Sequence, residues 1–293
     1  MNNFIIRTIT GVFFVAAIVT CFLKPIAMVL LFALVTGMTI WEFTGLVNNG
    51  PQPGHQGPQV QVNRLISTVA GVYFFLAVAG FASDTTPSAV FVPYLLSVVY
   101  LLVAELYLKQ PDPISNWAYT MLSQMYIALP LSCIPVLAFT AQTDGQVVFN
   151  PLLPLSVFIF LWMNDSGAYC TGSLIGRHKL FPRISPGKSW EGSIGGGVIV
   201  LLTAALLWHY TPTLSTSLGL AAPALTLPEW LGLGLVVVVF GTWGDLVESL
   251  LKRTLGIKDS GNVLPGHGGM LDRFDSSLLA MPAAVVYLFT LTL

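Results

Sequence analysis

The sequence predicts an all-α, polytopic membrane protein of about nine transmembrane helices with a cytoplasm-facing polar site. Three observations predict it. Of 293 residues, 55% are hydrophobic and only 9% charged, whereas a typical soluble domain has about 25% charged residues. Mean hydropathy is +0.78. The chain also divides into nine apolar runs of roughly the 20 residues a helix needs to cross the hydrocarbon core. The runs are continuous and do not alternate with period two, which excludes a closed barrel.

The first run, Phe4 to Phe22, leads through Lys24 and Pro25 straight into more apolar sequence. It has no small-x-small cleavage site, and Thr20 before Cys21 argues against lipoprotein processing, so it reads as a spanning helix and not as a signal peptide. Ile26 to Val47, Leu65 to Ala82 and Ala89 to Leu108 follow, then Trp117 to Phe139, where Pro130 and Pro135 each remove a backbone donor and predict a kink. The last four runs are Leu152 to Ile175, Ser193 to Tyr210, Trp230 to Leu251 and Ser276 to Leu293. Helices one to five fall in an N-terminal part, 1–150, and helices six to nine, with the polar loops, in 151–293. The segment Asn48 to Asn63 is a Pro- and Gly-rich linker, and Thr211 to Pro228 reads as an uncharged exterior loop.

Loops rich in Lys and Arg stay cytoplasmic. With nine spans and a cytoplasmic N-terminus, Arg7, Arg64, Lys109, Arg177, Lys179, Arg183, Lys188, Lys252, Arg253, Lys258 and Arg273 lie on that side, and of the 12 positives only Lys24 does not. A miscounted span would put the two richest loops on opposite faces. The reading is therefore a multi-pass protein of the cell (inner) membrane whose C-terminus faces the exterior. A net charge of −1 excludes a nucleic-acid-binding surface. Cys21, Cys133 and Cys170 all sit in apolar runs without metal-thiolate spacing, as packing residues do.

Acids inside spans are costly and point to function. Asp245 and Glu248 share a helical face with Lys252, and Asp245 lies about 10 Å from Lys252 along the axis. An internal salt bridge of Glu248 with Lys252 and Arg253 is the bland alternative. Asp165 sits in Asn164-Asp165-Ser166-Gly167-Ala168-Tyr169, where Gly167, Gly172 and Gly176 equally suit a tight helix interface. Glu42 and Glu105 are single acids expected to snorkel or to pair with a basic loop residue.

The loop after helix six contains Arg183-Ile184-Ser185-Pro186-Gly187-Lys188-Ser189-Trp190-Glu191-Gly192. Gly187-Lys188-Ser189 is no nucleotide phosphate loop, because Pro182 stands where that motif needs glycine. Ser and Lys before a helix N-terminus nonetheless suit a phosphate. The loop after helix eight carries Lys252, Arg253, Lys258 and Arg273, the acids Asp259, Asp272 and Asp275, and His267 among Gly266, Gly268 and Gly269. Glycines there can wrap amides around an anion, and Asp272 and Asp275 can present carboxylates to a hard cation.

The stretch from Ser249 to Asp275, ending in His267-Gly268-Gly269-Met270-Leu271-Asp272-Arg273-Phe274-Asp275, resembles the signature of the phosphatidate cytidylyltransferases, also called CDP-diglyceride synthases. The segments around Asp165 and Lys188 are similar to two further family segments, so the resemblance covers roughly Asn164 to Ser276. It implies transfer of CMP from CTP to phosphatidate in the bilayer, giving CDP-diacylglycerol and pyrophosphate, with Mg²⁺ or Mn²⁺. Family metal acids map onto Asp245 and Asp272, and Asp275 stands one turn further on. Ser185, Lys188, Lys252, Arg253, Lys258, Arg273 and Asp165 are the expected substrate contacts. His267 is expected as an acid or phosphate contact, with shaping of the loop as its alternative. A homodimer is compatible with the sequence. A CTP-dependent polyprenol or lipid kinase and, from another class, an ion-coupled transporter are the competing readings. The full His-Gly-Gly signature disfavours the kinase, and acids beside a basic loop instead of at the bilayer midplane disfavour the transporter.

Overall fold

The computed structural model describes residues 3–49, 60–142, 145–261 and 268–291. Among them the chain is mostly helical: α1 (Asn3–Phe22), α2 (Pro25–Asn49), α3 (Arg64–Ala82), α4 (Ser88–Leu108), α5 (Pro113–Ala138), α6 (Leu152–Ile175), α7 (Trp190–Leu218), α8 (Leu227–Thr254) and α9 (Leu271–Thr290). Six of these, α2, α3, α4, α5, α7 and α8, are long and apolar enough to cross a membrane. Helices α6 and α9 cover two further expected spans. Their hydropathy is lowered by Asn164, Asp165 and Ser166 in α6 and by Asp272, Arg273 and Asp275 in α9.

Polar side chains set the helix starts. Asn63 accepts from the Ile66 amide at α3, and Asp112 accepts from the Ser115 amide at α5, where Pro113 supplies the preset first φ. Helix α5 contains a π-helical segment, Gln124–Ala128, in which the Leu129 amide reaches back five residues to Gln124. The segment lies just before Pro130, whose missing N–H breaks the regular ladder.

Three sequence expectations need correction. The chain is not purely α: β1 (Phe139–Ala141) pairs antiparallel with β2 (Val147–Phe149), and β3 (Lys179–Phe181) with β4 (Ser185–Ser189). The basic loop after α6 is thus largely a hairpin, and a bulge absorbs the irregular Pro-Gly sequence of β4. Nor do Thr211–Leu218 form a loop. Helix α7 continues through Pro212 and stops only at Gly219, whose φ of 64° is the left-handed geometry that glycine adopts freely.

By its internal contacts the chain forms two compact units, Met1–Pro135 with Leu251–Phe274, and Val136–Leu250 with Asp275–Leu293. In the first, Phe32 packs against Phe22 and Phe274 at centroid distances of 5.5 and 6.1 Å. Gln124 donates to the Ser67 carbonyl, tying α5 to α3. In the second, Trp230 of α8 meets Phe160 of α6 edge to face. There α6 and α7 come into backbone contact, because a Cβ on Gly196 would lie 2.7 Å from the Asn164 carbonyl and one on Gly192 2.9 Å from that of Ala168. Glycine at a four-residue spacing removes the bulk that would keep two helices apart. The tight interface expected around Gly167 therefore exists, alongside the polar site and not in place of it.

Candidate active site

The second unit contains a cavity of about 470 Å³ bounded by α6, β4, the start of α7 and α8, with Asp165, Tyr169, Lys188, Ser189, Thr242 and Asp245 in its wall. Its shape follows from local structure. Ser189 caps α7 by accepting from the Gly192 amide, and the Trp190 amide donates to the His178 carbonyl at 2.9 Å. Glu191 takes the backbone amides of Arg177 and His178 together with the His178 ring. The hairpin is thereby pinned to the helix start, and Lys188, one residue before the cap, is held on the cavity wall. Two amides of this helix start are already engaged, which leaves Lys188 as the positively charged group of the cavity wall.

Lys188 Nζ lies 2.5 Å from Asp245 Oδ2, with both side chains about three-quarters removed from solvent. The other oxygen of Asp245 accepts from Ser249 one turn along α8. Asp275 feels the negative charges of both Asp245 and Asp165, opposed by Lys188. Three acids thus share one electrostatic environment. Among the described residues no three His, Cys, Asp or Glu side chains close around a cation position. Mg²⁺ in particular is usually held by one or two carboxylates and completes its shell with water and substrate phosphates. Asp165 and Asp245 in the cavity wall, with Asp275 within the reach of their charges, are carboxylates whose chemistry fits such a cation.

A second polar cluster lies in the first unit. Asp272 Oδ1 accepts from Lys252 Nζ at 2.7 Å, and its Oδ2 from the Ser260 amide, the Ser260 hydroxyl and the Gly269 amide. Glu42, from α2, accepts from the Met270 and Leu271 amides at 2.8 and 3.0 Å and from the Ser260 hydroxyl. These amides are the orphan donors at the start of α9, where the helix dipole favours a carboxylate. Glu42 therefore does not pair with a basic loop residue as expected; it fastens the signature segment to α2. Glu105 is likewise bound by a neutral partner, Asn116.

Of the site residues expected from sequence, the structure brings together Asp165, Lys188, Asp245 and Asp275 in one unit, and Lys252 with Asp272 in the other. Ser185 begins β4 and is not in the cavity wall. Arg253 and Lys258 are exposed, and Arg273 is half-buried with its Nε enclosed and without a partner. His267 lies outside the described residues. Glu42, Ser249 and Ser260 were not anticipated as parts of these clusters. The signal that points to Glu42 is an ionisable residue within a long apolar run.

The family model described as "Cytidylyltransferase family" matches residues 5–291. The chain belongs to the cytidylyltransferase family. Its curated relatives include a phosphatidate cytidylyltransferase of Haemophilus influenzae, 30% identical over 289 residues, which cover 94% of this chain and 95% of the relative. A phosphatidate cytidylyltransferase of Staphylococcus aureus is 31% identical over 232 residues, 78% of this chain and 71% of the relative. One from Staphylococcus saprophyticus is 42% identical over 130 residues, 44% and 45% of the two chains. A cytidylyltransferase of this family spans almost the whole chain, so the N-terminal helices are as much part of the match as the signature segment.

Proposed function

We propose that this cytidylyltransferase transfers CMP from CTP to phosphatidate, forming CDP-diacylglycerol and pyrophosphate for phospholipid synthesis. The observation that carries the reading is the cavity whose wall holds a lysine directly against an aspartate, with further acids in the same field. Before substrate arrives Lys188 and Asp245 neutralise each other. A nucleotide phosphate gives Lys188 a better partner and leaves Asp245 available to a cation. Asp245 and Asp275 would hold the Mg²⁺, and Asp272 stays a proposed ligand on the strength of the family resemblance. The cation supplies charge neutralisation and orientation at the triphosphate. A phosphatidate phosphate oxygen forms the new bond to the α-phosphorus of CTP, and the bond from that phosphorus to the β-phosphate bridging oxygen breaks. Pyrophosphate leaves with the electron pair. The nucleophile is already an anion at neutral pH, so no side chain has to remove a proton. Lys188, and Lys252, Arg253, Lys258 and Arg273 of the signature segment, contribute positive charge to anionic substrates. Purified protein should release labelled pyrophosphate from CTP only when phosphatidate is added. Release without lipid, or movement of the terminal phosphate onto lipid, would contradict the reading.

The proposal includes nine spans in the inner membrane, a cytoplasmic N-terminus, helices one to five in 1–150, and helices six to nine with the catalytic loops in 151–293. The uneven placement of Lys and Arg supports it. A reporter active only in the cytoplasm, fused after Leu293, should be silent, and strong activity there would overturn the nine-span arrangement.

A further inference from the structure

Within the first unit a second cavity, of about 620 Å³, runs between α2 and α3. Its walls repeat at helical spacing: Leu34, Met38 and Trp41 from α2, and Thr68 and Val72 from α3. Gly37 forms its floor, where a Cβ would lie 3.0 Å from Val72 Cγ2. The lining is almost wholly apolar until Glu42 and Gly261 close one end. That end belongs to the signature segment. Gly261 follows Ser260, which Glu42 and Asp272 both bind, and Asp272 in turn holds Lys252. At the same end the Arg64 guanidinium lies 4.1 Å from the Trp41 ring centroid and donates to the Trp41 carbonyl. The cavity is therefore an apolar slot whose charged groups, the Glu42 carboxylate and the Arg64 guanidinium, lie at one end.

We infer that this groove receives one acyl chain of the phospholipid substrate, with the headgroup directed to residues 252–261. The inference rests on the lipid-nucleotidyltransferase reading above. Charge complementarity selects the occupant. The slot accepts methylenes, and the Arg64 guanidinium over Trp41 at its Glu42 end, with the exposed Arg253 and Lys258 further along the segment that contains Gly261, suits an anionic headgroup. Bulk lipid coats any apolar helix face, but nothing about such a face relates chain position to the signature segment. Here Glu42 does both, lining the slot and binding Met270 and Leu271. The volume falls within the range of built ligand sites, about 300–1,000 Å³.

The groove then sets chain-length preference. Gly37→Leu places a side chain across the floor, and Leu34→Trp narrows the slot from a wall position that is 61% exposed and so tolerates bulk. Each lost methylene contact weakens binding severalfold, so either variant should shift the ratio of kcat/KM for dioleoyl over dioctanoyl phosphatidate by about tenfold or more toward the short chain. The KM for CTP should not change. An unshifted ratio, or equal losses on both lipids in both variants, overturns the acyl-chain assignment. Failure of the wild-type protein to use either phosphatidate overturns the functional reading instead, so the two failures are distinguishable.

Discussion

Asp245→Asn should lower CDP-diacylglycerol formation by about a hundredfold or more and move the proposed Mg²⁺ or Mn²⁺ requirement to higher concentration. The substitution preserves shape, and the amide oxygen can still accept from Ser249, as Asp245 does at 3.1 Å. What disappears is the negative charge facing Lys188 and Asp275. Charge stabilisation by a bound metal is worth several kcal/mol in a transition state, and each 1.4 kcal/mol is a factor of ten. The variant leaves the Lys188 ammonium without its carboxylate partner while relieving Asp275 of a repulsive neighbour, so thermal unfolding is measured beside turnover to separate a loss of fold from a loss of metal. Lys188→Ala is the companion measurement. It removes one charged phosphate contact, about ten- to a hundredfold in rate or KM. Wild-type turnover with unchanged metal dependence in Asp245→Asn would take that residue out of the metal site.

Residues near one another in sequence, or on one helix face, made half of this site legible. Asp245 stands out because an acid in an apolar run is costly, and Lys188 because it precedes a helix start. That the two touch was not legible, since nothing local records how β4 lies against α8. The hairpin itself was hidden by Pro186 and Gly187, which weaken any strand signal; the bulge between Lys179 and Phe181 is what accommodates them. The uncharged stretch from Thr211 reads as a loop, yet the helix runs through Pro212 and stops only at Gly219, where the chain can turn left-handed. The hardest feature to foresee was Glu42. Its partners Ser260, Met270 and Leu271 are 218 to 229 residues away, and two of the bonds come from backbone amides, which carry no side-chain signature. The sequence pattern therefore located the polar groups, and long-range pairing decided their roles.

That distinction governs the second large effect, at Asp272. The family resemblance assigns it to the metal, whereas its oxygens in this structure accept from Lys252, Ser260 and Gly269. Its side chain is 7% exposed and that of Lys252 14%. Removing one partner of a buried ion pair leaves the other charge stranded, at a cost of about 3–5 kcal/mol. Asp272→Asn should accordingly lower thermal stability and abolish most activity together, which alone would not separate the two roles. Adding Lys252→Met removes the stranded ammonium while keeping most of its volume, and the Asn oxygen can still accept from the Ser260 and Gly269 amides. The double variant should therefore regain most of the lost stability. If Asp272 also acts on substrate-bound metal, turnover stays low and does not follow stability back. Lys252→Met alone supplies the control for any loss due to the lysine itself. Recovery of turnover in the double variant to the level of Lys252→Met would confine Asp272 to holding the signature segment in place, with the metal left to the acids around Asp245.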